Sequence, residues 1–422
     1  MSASAHPEFP QRAPAEAAQP SAPGSPRGAR RALFVLATAT LLSMTTWFSA
    51  SAVFPQLQEA WRLTTGTAAW LTIAVQLGFV IGAVGSAFLN LADRFNPRRV
   101  FFLSSLGAAA ANALVATSHS LGPVVAFRAL TGFFLAGVYP PGIKVMSSWF
   151  RRGRGLALGV MIGALTLGSA TPQLINGLGG LRWQSVVLST SILTVAGGLI
   201  VQFVLRDGPY PFPQGSFDPA YILRAFRNRG VRLANFGYFG HMWELYSMWA
   251  WFGAFFAATL ARASFHGNVR LVAGAATFAA IGAGALGAAV AGALADRLGR
   301  AAVAAGALTV SGTCSLTIGL LLGHPIAVLL VGVVWGFAVV ADSAQFSTLV
   351  TELGEQAYVG TALTLQLALG FLLTTVTIRL IPALVDGIGW RWAFAVLALG
   401  PAVGVIAMIR LRAGSVTEGR ER

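Results

Sequence analysis

The sequence predicts an all-α membrane protein with twelve transmembrane helices in two pseudo-symmetric six-helix bundles. The first observation is composition: 55% of the residues are hydrophobic and 10% are charged, whereas soluble domains carry roughly 25% charged residues. The second is a series of long apolar runs, and the third is a repeat that relates the two halves of the chain. A bilayer core about 30 Å thick requires about 20 apolar residues per helix, so each transmembrane run should have about that length.

Twelve apolar runs satisfy this requirement, six in each half. In the first half they cover residues 32–54, 68–91, 100–117, 124–150, 156–175 and 186–205. In the second half they cover residues 233–258, 271–294, 301–322, 326–350, 360–385 and 392–409. Glycine and alanine are frequent within them, and small residues allow helices to pack closely in lipid. We therefore expect one bundle at 32–205 and a second at 233–411.

Three matched sites indicate an internal duplication. The tetrapeptide LADR at 91–94 returns at 294–297, which is 203 residues later. The segment RGLAL at 154–158 matches VGTAL at 359–363, and the pair RW at 182–183 returns at 391–392. Similarity that recurs at nearly one spacing is the signature of a repeated architecture.

Basic residues are concentrated on one side of the predicted spans. The net charge is +15, from 29 basic and 14 acidic residues. With a cytoplasmic N-terminus, 21 of the basic residues fall in the termini and cytoplasmic loops, and five fall in outer loops. This is the positive-inside bias, so the charge sets topology and does not indicate a nucleic-acid partner. We expect a monomer in the bacterial inner membrane, surrounded by lipid, with both termini in the cytoplasm.

Three segments lie outside the predicted bundles. Residues 1–31 are rich in Ala, Pro, Ser and Arg and are predicted to be a disordered cytoplasmic N-terminus, and residues 412–422 are predicted to be a cytoplasmic tail. Residues 206–232 link the bundles, and within them Asp218 and Pro219 predict the start of a helix that ends at Gly230. Such a helix either lies on the anionic inner leaflet or serves only as a linker.

The loops after spans 2 and 8 carry related motifs. The second copy, GALADRLGR at 292–300, fits the pattern Gly-x-Leu-Ala-Asp-Arg-x-Gly-Arg, whereas in the first copy Leu89 and Asn96 replace the two glycines and Pro97 replaces the last arginine. Asn tolerates the left-handed conformation better than most residues, so we expect Asn96 to preserve the turn. Arg128 and Gly132 supply an Arg-x-x-x-Gly pattern on span 4.

On these motifs the chain resembles the major facilitator superfamily of secondary transporters. The stretch 139–155 is similar to the corresponding region of bacterial anion-transporting members, including nitrate/nitrite porters. Spans 5 and 11 lack the glycine-rich signatures of nitrate porters, and span 5 lacks the Gly-Pro-x-x-x-Gly-Gly motif of proton/drug antiporters, so the subfamily is unresolved. The resemblance implies one small solute bound near the midplane between the halves, which rock to expose it to either side. It also implies gating by the motif residues Asp93, Arg94, Gly292, Asp296, Arg297, Gly299 and Arg300.

Few ionisable side chains lie deep within the spans. They are Arg128, Lys144, His241, Glu244 and Asp342. A charge at the bilayer centre is costly, so such a residue normally faces an interior cavity. Spans 3, 6, 9 and 12 carry no ionisable residue in their cores, and in the superfamily these spans face lipid while spans 1, 4, 7 and 10 line the cavity.

Glu244, Asp342 and His241 are the predicted proton-coupling residues. Glu244 lies eleven residues past the start of its span, which is about 16 Å at 1.5 Å per residue, and burial disfavours the charged form of a carboxyl. The alternative is a neutral carboxyl with a structural hydrogen bond. Asp342 shares a helical face with Gln345 and could bind a proton or the solute, or only pack. His241 could share the proton of Glu244 or lie at the cytoplasmic mouth.

The predicted substrate-binding residues combine cations, an amide and aromatic rings. They are Lys144, Arg128, Gln345, Trp47, Tyr139 and Trp335. Lys144 is the only lysine, and it could hold an anion or extend to the inner interface. Arg128 could serve gating or proton coupling, or bond to carbonyl groups of span 1.

The sequence contains no constellation that indicates an enzyme. It has no P-loop and no Cys/His cluster with metal-ligand spacing, and Cys314 is the only cysteine. We therefore expect no cofactor and no metal. The prediction is a secondary active transporter that moves a small organic or inorganic anion by proton-coupled alternating access. The alternative is a proton-driven exporter of amphipathic compounds. A membrane receptor without transport would be expected to carry a long soluble output domain.

Overall fold

The computed structural model describes residues 26, 28–151, 153–177, 181–212, 226–355 and 358–420, with the backbone alone described at 65, 92, 93 and 415–420. Across these residues the chain forms helices joined by short turns, and no strand is present in them. The predicted helix start at Asp218 and the amphipathic face around Ile222 lie outside the described residues.

Twelve principal helices follow one another in the described residues. They are α1 (Ala29–Met44), α2 (Gly66–Phe88), α3 (Pro97–Val115), α4 (Leu121–Ser147), α5 (Arg154–Gly177), α6 (Trp183–Val204), α7 (Arg229–Arg262), α8 (Val269–Leu298), α9 (Arg300–Leu321), α10 (Pro325–Leu353), α11 (Val359–Ile388) and α12 (Trp390–Gly414). Eleven of them coincide with a predicted span to within about five residues, whereas α1 ends ten residues before the predicted span 32–54 does. The predicted all-α membrane fold is confirmed.

Nine of the twelve helices are long and apolar enough to cross a membrane, within the part of the chain that is described. The other three are α1, α3 and α7. Helix α3 has 19 residues and α7 has 34. Helix α1 has 16 residues and is extended after a non-helical turn by the short helices Ser49–Ala52 and Phe54–Trp61. These three helices are consistent with the remaining spans of a twelve-helix protein.

The two halves repeat the same close contact between helices. Gly132 of α4 lies against the carbonyl group of Val75 in α2, and Gly336 of α10 lies against the carbonyl group of Ala280 in α8. Neither position has room for a β-carbon, so both pairs of backbones approach as closely as glycine permits. The two contacts are 204 and 205 residues apart in the sequence, close to the offset of the LADR repeat. The duplication therefore extends from the motifs to the packing.

Helices α5 and α8 pack against each other from end to end and join the halves. At one end Gly155 faces Gly292, and at the other Gly177 and Gly274 meet. Between them Gly159 lies against the carbonyl group of Ala288. Helices α2 and α11 make a second contact between the halves.

The two copies of the loop motif differ in backbone structure. In the second copy α8 runs unbroken to Leu298, and Gly299 ends it with φ of 84°. In the first copy α2 ends at Phe88, and the left-handed residue is Asn90, with φ of 48°. The expectation of a left-handed Asn96 is wrong: that residue has φ of −58° and caps α3 by accepting a hydrogen bond from the backbone N–H of Arg98.

Two predicted boundaries also differ from the structure. Gly230 does not end a helix, because Asn228 caps α7 and Gly230 lies in the first turn of α7. The side chain of Asn228 accepts a hydrogen bond from the N–H of Val231 at 3.1 Å and so caps the start of α7 two residues before Gly230. At the other end of the chain the backbone stays helical past Gly414, the end of α12, to Arg420, so no helix end marks the predicted start of the tail at residue 412.

Candidate functional site

An aromatic cluster joins the two halves near the middle of the helices. We define the central aromatic cluster as Trp47, Phe48, Phe79, Tyr246, Trp249 and Phe371, which come from the turn after α1 and from α2, α7 and α11. The ring of Trp47 lies 4.9 Å from Phe79, 5.9 Å from Tyr246 and 5.6 Å from Phe371, measured between centroids. Phe79 and Phe371 approach to 4.6 Å. A cluster shared by both halves is the place where a rocking motion would separate surfaces.

Three polar groups beside these rings are buried without a partner among the described residues. The indole Nε1 atoms of Trp47 and Trp249 have no acceptor, and neither amide atom of Gln76 is hydrogen-bonded. All three side chains are at most 1% exposed. Buried polar groups are paired in the great majority of cases, so an exception calls for an explanation such as a bound ligand or water. Together they offer four N–H donors, two from the indoles and two from the amide, and one acceptor beside flat apolar surfaces.

The guanidinium group of Arg128 is bonded to backbone carbonyl groups beside the central aromatic cluster. Its Nε donates to the carbonyl oxygen of Leu71 at 3.1 Å, Nη1 donates to the carbonyl oxygen of Thr46 at 2.8 Å, and Nη2 donates to the carbonyl oxygen of Trp47. Nη1 also donates to Ser49 Oγ at 3.1 Å and Asn112 Oδ1 at 3.0 Å. The side chain is fully buried. Its predicted role as a substrate ligand is therefore not supported by this geometry, which favours the alternative of bonding to carbonyl groups of span 1.

The non-helical turn at Thr45–Phe48 is the reason that Arg128 finds these carbonyl groups. The hydroxyl of Thr45 donates to the carbonyl oxygen of Leu42 at 2.8 Å and to that of Thr190 in α6 at 3.1 Å. Threonine and serine hydroxyls compete in this way with the helical hydrogen bonds and bend helices. The turn exposes backbone carbonyls to Arg128 and carries Trp47 and Phe48 into the cluster.

Glu244 lies inside the second half rather than between the halves. Its Oε2 accepts a hydrogen bond from Ser311 Oγ of α9 at 2.8 Å, and its Oε1 accepts one from Trp335 Nε1 of α10 at 2.7 Å. The side chain is fully buried. Trp335 packs edge-on against Phe394 at 5.2 Å, so the prediction that Trp335 contacts the solute is not supported by this arrangement. The contact with α9 also shows that a helix expected to face lipid contributes to the buried polar interior.

His241 and Asp342 form a second buried polar site. His241 Nδ1 lies 2.7 Å from Asp342 Oδ1, and the two side chains are 2% and 0% exposed. The ring does not point its N–H at the carboxylate well enough for a regular hydrogen bond, and Asp342 has no other side-chain partner among the described residues. On its other side His241 Nε2 lies 3.2 Å from Ser343 Oγ. His241 is therefore paired with Asp342 and not with Glu244, which is its neighbour along the helix.

Asp342 interrupts α10. The helix from Pro325 ends at Ala341, and a second helical segment begins at Ser343. Gln345, one turn further on, is 1% exposed, and its Oε1 has no partner among the described residues. Glu244 lies three residues after His241 on α7, which is about one turn of the helix. The second half thus holds two carboxyl groups and one imidazole in one buried region.

The remaining predicted residues lie on α4. Tyr139 is half-buried at the start of the last segment of α4, and it packs against the hydrophobic core that also contains Tyr238 and Tyr246 of α7. Lys144 is half-buried in the last turn of α4. Tyr139 therefore borders the core that contains the central aromatic cluster, whereas Lys144 lies towards the end of its helix.

Asp296 of the second motif is placed at the start of α5. Its carboxylate oxygens lie 3.7 and 3.8 Å from the position that a β-carbon on Gly155 would occupy. A carboxylate is favourable beside the first turn of a helix because the backbone N–H groups there carry partial positive charge. The side chain of Asp93, the corresponding residue of the first copy, lies outside the described residues.

The sequence identified Trp47 and the buried ionisable groups but missed the other five residues of the central aromatic cluster. Gln76 could have pointed to this site, because it is a polar residue within an otherwise apolar stretch of span 2. Aromatic residues are common in transmembrane spans, so the sequence does not show which of them share a site. Only the packing of the helices brings together Tyr246, Phe79 and Phe371.

Comparison with known proteins agrees with this architecture. The sequence model of the Major Facilitator Superfamily matches residues 36–270. The multidrug efflux pump LfrA of Mycolicibacterium smegmatis is 28% identical over 211 residues, which cover 49% of this chain and 41% of that protein. The niacin transporter NiaP of Acinetobacter baylyi is 27% identical over 182 residues, covering 40% of this chain and 39% of that protein.

A solved structure is similar over a much larger share of the chain. The human organic anion transporter MFSD10 (TETRAN) has a TM-score of 0.67 at 16% identity, over 90% of this chain and 99% of the human one. At that identity the likeness concerns the fold alone. The sequence matches to the two curated bacterial relatives each span about two fifths of their length.

Proposed function

Because the chain belongs to the major facilitator superfamily, we propose that it is a secondary active transporter for a small organic solute with a flat apolar portion. The solute binds between the two halves, which rock to expose it to either side of the membrane. Protons drive the movement through the buried acids of the second half. The protein lies in the bacterial inner membrane with both termini in the cytoplasm, an orientation supported by the arginine bias.

The central aromatic cluster is the observation that supports this solute class. Its rings come from both halves, and the unpartnered N–H groups of Trp47, Trp249 and Gln76 lie beside them. Aromatic rings favour flat apolar ligands, and a few polar groups fix their orientation. An acceptor on the solute, such as a carboxylate or carbonyl oxygen, would satisfy the donors. An inorganic anion would leave the apolar surfaces without a ligand, and Arg128 already donates to backbone carbonyl groups.

Proton coupling is supported by the buried site at His241, Asp342 and Glu244. An ionisable group in the membrane interior is costly and is normally retained for function. Asp342 lies at a break in its helix, 2.7 Å from the imidazole of His241, and neither of its carboxylate oxygens has a regular hydrogen bond in the described chain. A carboxyl in this position can take up a proton in one state of the carrier and release it in the other.

Export of amphipathic compounds is a second candidate function. The same aromatic cluster would accept a larger apolar compound, and a relative named as a multidrug efflux pump matches about half of the chain. The two candidates differ in the direction of solute movement relative to protons and in the range of accepted solutes.

A binding screen with matched tryptophan variants tests the proposal. Purified protein is heated with aromatic carboxylates, uncharged aromatic compounds, cationic dyes or inorganic anions, and a ligand of the folded state raises the melting temperature. We expect aromatic carboxylates to give the largest shift. Trp47→Phe and Trp249→Phe keep a ring but remove the N–H, so each should weaken binding roughly tenfold, in line with the loss of one charge-assisted hydrogen bond.

The control is Trp243→Phe, because the N–H of Trp243 donates to the carbonyl oxygen of Val396 outside the central aromatic cluster. This variant should bind the solute as the wild-type protein does. Stabilisation by inorganic anions alone, or equal weakening by all three tryptophan variants, would contradict the proposed site.

A further inference from the structure

We propose that a cleft between the start of α7 and the end of α12 binds the headgroup of an anionic phospholipid. The cleft has a volume of about 440 Å³. Three arginines line it, Arg229 and Arg232 from α7 and Arg410 from α12, and its other lining residues are Leu233, Phe236, Val403, Ile406 and Ala407. None of these is acidic. Guanidinium groups beside hydrocarbon side chains suit a ligand that is both anionic and apolar.

The charges in the cleft are suited to a phosphate group. Of the three arginines, Arg232 donates to the carbonyl oxygen of Phe226 at 3.2 Å, a bond that uses only one of its five donors. Helix α7 begins at Arg229 and has no acidic residue in its first turn. The N-terminus of this helix therefore adds partial positive charge to that of the guanidinium groups. Guanidinium groups bind phosphate oxygens in pairs, with a geometry that fits phosphate closely.

The order of the side chains along the helices matches the order of groups in a phospholipid. Phe236 lies four residues further into α7 than Arg232, and Val403 lies seven residues further into α12 than Arg410, which is about 10 Å at 1.5 Å per residue. Phe236, Val403 and Ile406 are 44%, 51% and 52% exposed, so they form an apolar surface below the arginines. A headgroup at the arginines would place its acyl chains along this surface.

The packing of α7 against α12 explains why the cleft exists. Gly240 and Gly400 bring the two backbones together deeper in the membrane, where no side chain fits between them. Nearer the arginines, larger side chains such as Phe236 and Ile406 line the space between the two helices, and the helices are no longer in contact at glycine. Under the proposed topology this end is cytoplasmic, where anionic lipids are concentrated and basic pockets between helices bind their headgroups. The inference does not depend on which solute is transported.

Lipid titration of the purified full-length protein tests the site. Melting temperature is measured in detergent with increasing phosphatidylglycerol, with phosphatidylcholine as the zwitterionic lipid and with inorganic phosphate as the headgroup ion alone. We expect phosphatidylglycerol to raise the melting temperature and the other two to leave it unchanged. Arg232→Gln and Arg410→Gln should each raise the half-saturating phosphatidylglycerol concentration roughly fivefold, and the double variant roughly 25-fold.

Arg99→Gln is the matched control, because Arg99 is an exposed arginine at the same end of the helices and outside the cleft. It should titrate as the wild-type protein does. Equal stabilisation by phosphatidylcholine, an equal effect of inorganic phosphate, or an unchanged titration of the double variant would each overturn the proposal. The tryptophan variants of the solute site should retain the lipid response, so failure of one proposal is distinguishable from failure of the other.

Discussion

Two buried carboxyl groups in the second half differ in how fully the protein bonds them. Both oxygens of Glu244 accept hydrogen bonds, from Ser311 and Trp335. Asp342 has a close contact with His241 but no well-aligned hydrogen bond from another side chain in the described chain. A group whose bonds are incomplete in one conformation can gain or lose a partner at less cost when the carrier changes shape. The sequence favoured Glu244 as the coupling acid, and the contacts favour Asp342.

We therefore predict that Asp342→Asn abolishes solute accumulation driven by a pH gradient, while exchange of solute without a gradient continues. Asparagine keeps the size of the side chain but cannot release a proton. Glu244→Gln can keep the hydrogen bond from Trp335 and should lower accumulation only severalfold. Proteoliposomes with an imposed pH gradient measure accumulation, and counterflow measures exchange.

The opposite pattern, with accumulation lost in Glu244→Gln and normal in Asp342→Asn, would return the coupling role to Glu244. Ser343→Ala serves as a control for the His241 contact, because it removes the 3.2 Å neighbour of Nε2 and leaves the carboxyl in place. Because the carboxyl group is unchanged, Ser343→Ala should not separate the two activities: either both exchange and accumulation fall by the same factor or both stay at the wild-type level.

Arg128 shows why its role could not be predicted from the sequence. An arginine within an apolar span predicts an interior position, and that expectation is correct. Whether it faces a solute or backbone depends on the turn at Thr45–Phe48, which supplies carbonyl oxygens at that level. The turn is produced by hydroxyl groups that also occur within unbroken helices of this chain. Thr166, for example, donates to the carbonyl oxygen of Ile162 without interrupting α5.

At the level of helices, the sequence predicted existence and order well, because length and hydropathy determine which segments can cross lipid. Breaks within helices were not predicted, since a break leaves the apolar pattern intact. The interruption of α4 before Tyr139 and that of α10 at Asp342 both fall in continuous apolar runs. The aromatic half of the candidate site was missed for a related reason: it depends on which faces of α2, α7 and α11 meet.

The repeated glycine contact leads to a prediction about helix packing. A β-carbon added at Gly132 or at Gly336 would overlap a backbone carbonyl group of the neighbouring helix. Gly132→Ala and Gly336→Ala should each destabilise the protein by roughly 1–3 kcal/mol, the usual cost of overpacking. Gly306→Ala is the control, because nothing lies within 4 Å of the added carbon and alanine favours a helix by up to about 1 kcal/mol.

Thermal unfolding of the three variants in one detergent measures this prediction. Loss of stability in Gly132→Ala and Gly336→Ala, with an unchanged or raised melting temperature for Gly306→Ala, is the expected result. A stable Gly336→Ala variant would mean that α8 and α10 pack less closely than their counterparts α2 and α4.

At the scale of the whole molecule, the two motif loops make the halves unequal. In the second half α8 continues through the motif and places the Asp296 carboxylate beside the start of α5, in the other half. In the first half the helix breaks at Leu89 and Asn90, within the motif and before its LADR tetrapeptide. A continuous helix transmits movement of one half to the contact with the other, whereas a break allows the loop to move separately. The second motif is therefore the better placed of the two to hold the halves together at this end.

We predict that Asp296→Asn impairs transport more than Asp93→Asn does. Asparagine keeps the size of the side chain and removes the negative charge, which contributes typically 0.3–1 kcal/mol beside a helix N-terminus. Such a change shifts the balance between the two conformations of the carrier by about twofold to fivefold. Initial transport rates of both variants, compared at equal amounts of folded protein, measure the difference. Equal losses would indicate that the broken first copy closes the carrier as effectively as the intact second copy, and that the continuity of α8 through its motif has no mechanical consequence.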